Sequence, residues 1–329
     1  MQKNLEMLLS LIKNDYSISE ISNILNVPYN KIYEYLYKLK DEGYEILRKY
    51  YSNGNMRFIV SNQLYEDYTP VILTEENENK IEMLVYSDLH LGSIFEKSKY
   101  LKMVYDYSKQ KNIHIHLNAG DLVEGVIVES NIKIPFNEQI KHALKVYPHS
   151  DDILVFLLLG NHDYSLLEGH GINISEIIKN KRGDVIPIGF KEGKIKIKND
   201  VIVMLHPVMN TDLGKRGIYN HNLIIRGHGH EAQEVIDSSN LYIYTPALCD
   251  LNLKNSTHPG FTHLTLKMRY GFIENVKINE LIIIGNKISV VNGIEVFVGH
   301  GKKIRESNII LNEEENPKIL KRRKNEKYL

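Results

Sequence analysis

The chain of 329 residues contains one cysteine, Cys249, and no apolar run longer than the seven residues 153–159. A single cysteine excludes an internal disulfide and a thiolate-rich zinc site, and it suits a reducing, cytoplasmic setting. A membrane-spanning helix needs about twenty apolar residues, so no membrane partner is expected. The apolar stretch within residues 1–13 is short and has no small-residue cleavage site after it, which argues against an export signal. Net charge is lacking as well, since 41 Lys and Arg face 41 Asp and Glu. That balance excludes a surface that is a single clamp for nucleic acid or anionic membrane, while leaving room for a local basic patch. Histidine is plentiful, with 14 residues; imidazole is the commonest metal-binding side chain and the usual proton carrier near neutral pH.

Residues 1–60 read as a small unit of their own. Leu5, Leu8, Leu9 and Ile12 share one face of a first helix. Ser17-Ile18-Ser19-Glu20 has the form of a capping box opening a second helix, with Ile21 and Leu25 inward. A turn at Asn26-Val27-Pro28 precedes a third helix, stopped by Gly43, whose apolar face is Ile32, Tyr35, Leu36 and Leu39. Two strand-like stretches, 44–51 and 56–60, meet at Asn53-Gly54, a strong hairpin signal. Three helices and a hairpin resemble a winged helix-turn-helix domain, and residues 18–27 match its helix-turn spacing. The resemblance implies that Tyr29, Asn30, Lys31 and Tyr33 face a DNA major groove, with Arg48, Lys49 and Arg57 near phosphates. It also points to a homodimer. The competing reading is a docking or dimerisation module, because positions 1–50 hold only seven basic residues against seven acidic ones.

Residues 61–79 lose periodicity and turn acidic, with Glu66, Asp67, Glu75, Glu76 and Glu78 around Pro70, and read as a linker. From 80 the pattern alternates: strand 81–87, helix 96–109, strand 113–118, helix 137–146, strand 153–159, then a Gly-Asn-His-Asp loop and a helix over 172–180. Short strands dominate from 183 to about 305, an α/β front followed by a β-rich back that predicts stacked sheets flanked by helices. A charged tail is expected over 306–329, acidic at Glu313-Glu314-Glu315 and basic at Lys321-Arg322-Arg323-Lys324.

The informative residues lie just past the ends of the strands. In chain order they are Asp88-Leu89-His90, Gly120-Asp121, Gly160-Asn161-His162-Asp163, His206 and Gly227-His228-Gly229-His230. Carboxyl ends of strands are where α/β sheets place their sites, and the glycines let the backbone turn sharply there. Each piece alone is weak; the five in sequence are hard to explain as punctuation. In that order they resemble the calcineurin-like metallophosphoesterase superfamily, over about 81–250, with the later strands completing the domain. The resemblance implies an α/β fold, a two-sheet αββα sandwich preceded here by the small winged helix domain.

It further implies that Asp88, His90, Asp121 and His230 hold one divalent cation and Asp121, Asn161, His206 and His228 a second, with Asp121 bridging. The donor chemistry supports this independently, since carboxylate, amide and imidazole without thiolate suit manganese, iron or zinc in a catalytic rather than a structural role. Two cations about 3.5–4 Å apart can share a hydroxide and clamp phosphoryl oxygens. In the family His162 faces the substrate and serves the leaving oxygen, with Asp163 orienting its ring. Read from the residues alone, His162 could equally be a ligand or a ligand's hydrogen-bond partner, and Asp163 a helix N-cap. His114 and His116 read as structural, while His170, between two glycines, could reach the site.

The second motif separates branches of the family. Protein phosphatases continue it as Gly-Asp-x-x-Asp-Arg-Gly, whereas this chain has Gly120-Asp121-Leu122-Val123-Glu124-Gly125 and no arginine. Repair exonucleases commonly have histidine where Glu124 stands. Ser87-Asp88-Leu89-His90-Leu91-Gly92-Ser93 looks like the nuclease and phosphodiesterase branches. The expectation is therefore a phosphodiesterase or nuclease acting on nucleic acid or nucleotides. The alternative is a DNA-binding regulator whose phosphoesterase domain serves as a ligand sensor or scaffold. A complete ligand set favours the enzyme.

Overall fold

The computed structural model describes residues 2–42, 44–61, 71–73, 79–207, 223–236, 240–250, 258–298 and 305–309. The head consists of α1 (Gln2–Lys13), α2 (Ile18–Leu25) and α3 (Tyr29–Asp41), then the hairpin β1 (Glu45–Tyr51) and β2 (Met56–Ser61). Of the residues expected to face inward, Leu5, Leu8 and Ile12 on α1, Ile21 on α2, and Ile32, Tyr35, Leu36 and Leu39 on α3 are buried, while Leu9 and Leu25 are half-buried against the same core. Ser17 caps α2, its hydroxyl accepting from the Glu20 amide while its own amide donates to the Glu20 carboxylate at 2.7 Å.

A short strand, β3 (Val71–Leu73), lies within the acidic stretch 61–79, whose other residues up to 78, apart from Ser61, are outside the described set. The body then runs through β4 (Lys80–Tyr86), α4 (Ser98–Lys111), β5 (Ile115–Asn118), α5 (Phe136–Val146), β6 (Leu154–Leu159), α6 (Asn161–His170), α7 (Ile174–Lys181) and β7 (Val185–Phe190). It continues with β8 (Glu192–Ile197), β9 (Asp200–Leu205), β10 (Leu223–Arg226), β11 (Gln233–Ile236) and β12 (Leu241–Tyr244). The last strands are β13 (Gly260–Arg269), β14 (Phe272–Ile284), β15 (Lys287–Phe297) and β16 (Arg305–Ile309). Of the expected tail, residues 310–329 lie outside the described set.

Two eight-stranded sheets form the predicted mixed α/β sandwich, one ordered β16-β15-β14-β13-β4-β5-β6-β7 and the other β11-β12-β10-β9-β8-β3-β1-β2. Strands β4 to β7 are parallel, as alternating strands and helices require. Burial in β4 has period two. Ile81, Met83 and Val85 enter the core between the sheets, while Leu84 and Tyr86 face Leu101 and Val104 of α4. All six residues of β6 are buried, as in a parallel strand covered on both faces.

Two features depart from expectation. The Gly-Asn-His-Asp loop is the start of α6, which carries only Asp163 and Leu166 fully inward and so shows little apolar periodicity. The head is also continuous with the body. β3 pairs in parallel with β1 on one side and β8 on the other, and Leu8, Ile32, Tyr50 and Phe58 belong to the same core cluster as Met83, Phe156 and Ile197. No helix among the described residues is long and apolar enough to cross a membrane.

Candidate metal centre

Five strand ends converge where the two sheets meet. β4, β5 and β6 of one sheet deliver Asp88 and His90, Asp121, and Asn161 and His162; β9 and β10 of the other deliver His206, and His228 and His230. A bridge between Ser87 and Ala247 ties the sheets at this point. Ligand-competent atoms fall into three overlapping groups: Asp88, His90 and His230; His90, Asp121 and His162; and Asp121, His206 and His228, with the atoms of each group within 4.8 Å of one another. Asp88, His90, Asp121, His228 and His230 all have left-handed backbones, with φ between 44° and 74°. Such conformations cost about 1–3 kcal/mol each for a residue with a side chain, and they persist where the surroundings over-determine them.

Three motif glycines make room for one ring. A Cβ on Gly120, Gly160 or Gly227 would collide with the imidazole of His206 or with atoms beside it, Asp121 Oδ1 and Ala119 O. This close approach, rather than turn chemistry alone, is why glycine precedes Asp121, Asn161 and His228 after three separate strands.

The hydrogen bonds show which atoms remain for a cation. His206 Nδ1 lies 2.7 Å from the carbonyl of Ala119 and must donate to it, because a carbonyl only accepts. The neutral ring then carries its lone pair on Nε2, which stands 3.0 Å from Asp121 Oδ2. Two lone pairs facing each other at that distance require a proton or a metal ion between them. Asp88 Oδ1, His90 Nε2, Asp121 Oδ2, Asn161 Oδ1, His206 Nε2 and His228 Nδ1 are all buried without a hydrogen-bond partner. Buried polar atoms are otherwise nearly always paired, so this convergence of orphaned donors fits divalent cations.

In the protein alone, protons stabilise the cluster. Burial opposes the charge on His206, but Asp121 and Asp88 overcome it and raise the ring to about 10. Burial likewise opposes His90, which its bond to Glu124 and the charges of Asp121 and Asp88 raise to about 8. Burial would lift Asp88 and Asp121, yet the neighbouring imidazoles hold both carboxyls below the usual range. His228 goes down, through burial and the charge of His206.

Of the two roles the sequence leaves open for Asp163, the hydrogen bonds are those of the helix cap. Its carboxylate accepts from the amides of Gly160 at 2.8 Å, Val123 at 3.0 Å and Leu122 at 3.1 Å. It therefore caps α6 and pins the backbone just after Asp121. Burial and the charge of Asp121 push its carboxyl up to about 7 against the pull of those amides. The His162 ring is held elsewhere, with Nδ1 donating to the carbonyl of Glu124 at 2.6 Å. The His162 amide donates to Asp121 Oδ1 at 3.0 Å, placing the positive end of α6 against that carboxylate.

Two residues escaped the sequence reading. Glu124, noted only as a departure from the exonuclease pattern, is buried with Oε2 2.9 Å from His90 Nδ1. Gln139, fully buried, clamps Gly125 by accepting from its amide at 2.8 Å and donating to its carbonyl at 3.0 Å. The position after a Gly-Asp-x-x motif could have pointed to Glu124; nothing local marks Gln139. His116 sits among buried Tyr86, Tyr105 and Ser108, and His170 stacks on Phe136.

The residues expected to touch DNA lie on α3 and on the hairpin of β1 and β2. Tyr29 and Tyr33 line a cavity of about 540 Å³ between the head and the body, facing Asp151, Asp152 and Lys181. Lys31 pairs with Glu34 and Arg57 with Asp15, while Arg48 lies over the Tyr33 ring. Lys49 is half-buried on β1, and the side chain of Asn30 is outside the described set.

No family model matches the chain, and no curated protein does. Among solved structures, an archaeal phosphodiesterase is 15% identical over 62% of this chain and 100% of its own, with a TM-score of 0.41. The phosphoesterase YfcE from E. coli is 15% identical over 67% of this chain and 100% of its own, with a TM-score of 0.40. Vacuolar protein sorting 29 from Cryptosporidium parvum is 13% identical over 70% of this chain and 100% of its own, also at 0.40.

Proposed function

We propose that the chain is a metal-dependent phosphoesterase of the calcineurin-like type, acting on a phosphodiester of nucleic acid or a nucleotide. Asp88, His90, Asp121 and His230 would hold one divalent cation and Asp121, Asn161, His206 and His228 the other; manganese is the first candidate, with iron or zinc next. The observation that carries this reading is the set of buried donor atoms without hydrogen-bond partners on six of those residues. These residues would hold divalent cations whose chemistry, when bound, would be to supply a nucleophile at neutral pH and to neutralise phosphoryl oxygens. Asp121 would be the shared ligand, a reading supported by its burial with the α6 amide on Oδ1 and His206 Nε2 beside Oδ2. With Nδ1 of His162 given to Glu124 O, Nε2 is the nitrogen left to exchange a proton with the leaving oxygen. The absence of an arginine after Asp121 favours a diester over a phosphoprotein. A reducing, cytoplasmic setting agrees with a sequence whose single cysteine, Cys249, is buried.

The test is hydrolysis of a chromogenic phosphodiester with added Mn2+, wild type against Asp121→Asn. Turnover should need the metal and fall by about 100-fold or more with the bridging carboxylate gone. Turnover indifferent to either would refute the enzyme reading and leave the sensor or scaffold.

A further inference from the structure

Glu124 is a buried carboxylate, 1% exposed, on the loop that carries Asp121. Its ion pairs among the described residues are with two imidazoles and no lysine or arginine: Oε2 is 2.9 Å from His90 Nδ1 and Oε1 is 3.9 Å from His162 Nδ1. Oε1 makes no hydrogen bond. Burying a carboxylate is costly unless it is paired and hydrogen-bonded, and here the pairing falls to the imidazoles of the candidate site. The two rings it touches stand edge to face, centroids 4.6 Å apart at 86°. The Glu124 amide donates to Leu91 O at 3.0 Å, next to His90, and Gln139 grips the adjacent Gly125. The segment is thus anchored at both ends.

We infer that Glu124 is a positioning residue that sets two histidines from one loop. Its carboxylate accepts a hydrogen bond from His90 Nδ1, so that the ring, once neutral, has its lone pair on Nε2. That atom lies 3.9 Å from both Asp88 Oδ1 and Asp121 Oδ2. Its carbonyl takes the Nδ1 proton of His162. A carboxylate behind a ligating imidazole fixes the ring's tautomer and raises its basicity, and losing it costs about 10–100-fold in metal affinity. The bridging aspartate, one ligand's tautomer and the substrate-facing histidine would then depend on a stretch of four residues, 121–124.

This inference rests on the metal-dependent reading above, and its test separates the two. Mn2+ binding is titrated calorimetrically on the full chain for wild type, Glu124→Ala and Glu124→Gln, with circular dichroism and thermal unfolding to establish folding. The alanine variant should bind Mn2+ about 10–100-fold more weakly, and excess Mn2+ should restore most of its diester turnover, as damage to the fold would not allow. Glutamine, whose side-chain oxygen can still accept from His90 Nδ1, should keep most of the affinity. Should the alanine variant not fold, Glu124→Asp, too short to reach His90, takes its place. Wild-type affinity in the alanine or aspartate variant, or a glutamine variant as weak as alanine, overturns the positioning role. A wild type that binds Mn2+ but turns over no diester refutes the phosphodiesterase reading while leaving the affinity comparison decisive. A wild type that binds no Mn2+ overturns both.

Discussion

Tyr50, on the hairpin of the N-terminal head, packs edge to face against Phe156 in the centre of β6, with ring centroids 5.3 Å apart at 81°. Both are buried in the core that runs from the head through the space between the sheets. The head is therefore a structural extension of the sandwich as well as a candidate binding module.

Removing residues 1–61 should then expose that core and strip β3 of its pairing with β1. The expected product is an insoluble or unfolded body, not a free-standing enzyme. Tyr50→Ala should cost about 3–5 kcal/mol, the range for deleting a buried aromatic, and the full chain should melt in one transition by calorimetry. A truncated body that stays soluble with wild-type stability would contradict the shared core.

His162 and Asp163 should separate by readout. His162→Asn should leave Mn2+ affinity near wild type and lower kcat by about 100- to 10,000-fold, the range for a lost proton-transfer group. Asp163→Asn should reduce both, because the carboxylate holds the amides of Leu122, Val123 and Gly160 around the ligands. Equal metal affinity in the two variants would return Asp163 to the ring-orienting role.

Metal binding should release protons. With His90 raised to about 8 and His206 to about 10, both rings are protonated at neutral pH in the protein alone, and a cation must displace those protons. Apparent Mn2+ affinity should rise steadily from pH 6 to 8. Calorimetry in buffers of different ionisation enthalpy counts the protons released; a pH-independent affinity would go against the argument.

His116 should make the fold acid-sensitive. Burial depresses it to about 3 from 6.5. Above 6.5 the ring is neutral in both the folded and unfolded chain; below it the unfolded chain takes up a proton that the native core refuses. Stability present above 6.5 is thus lost as pH falls toward about 3, at about 1.4 kcal/mol per pH unit. Urea unfolding between pH 7 and 4 should show a flatter pH dependence in His116→Gln than in wild type, and identical slopes would exclude the effect.

The periodic parts of this chain were legible because their signals are local. Ile81, Met83 and Val85 alternate with Leu84 and Tyr86, and Ile32, Tyr35, Leu36 and Leu39 recur at helical spacing, so strand and helix could be assigned together with the faces they bury. The ends of β4, β5, β6, β9 and β10 were legible for a related reason: polar residues and glycines after a strand are cheap to recognise. α6 was not, because its first turn is polar, Asn161-His162-Asp163, and its apolar periodicity is faint.

What the sequence determined by itself is the set of candidate side chains: which acids, amide and imidazoles stand at strand ends. Tertiary structure alone decided which atoms of those residues are already used. Asp163 could have turned to the ring beside it or to the amides of the preceding loop, and only the approach of β5 to α6 selects the amides. Tyr50 could have closed a small head of its own, and only β3, pairing with β1 and β8, carries it onto Phe156. Side-chain type is a local property, whereas a hydrogen-bond partner or packing neighbour distant along the chain is fixed only when the sheets have closed on one another.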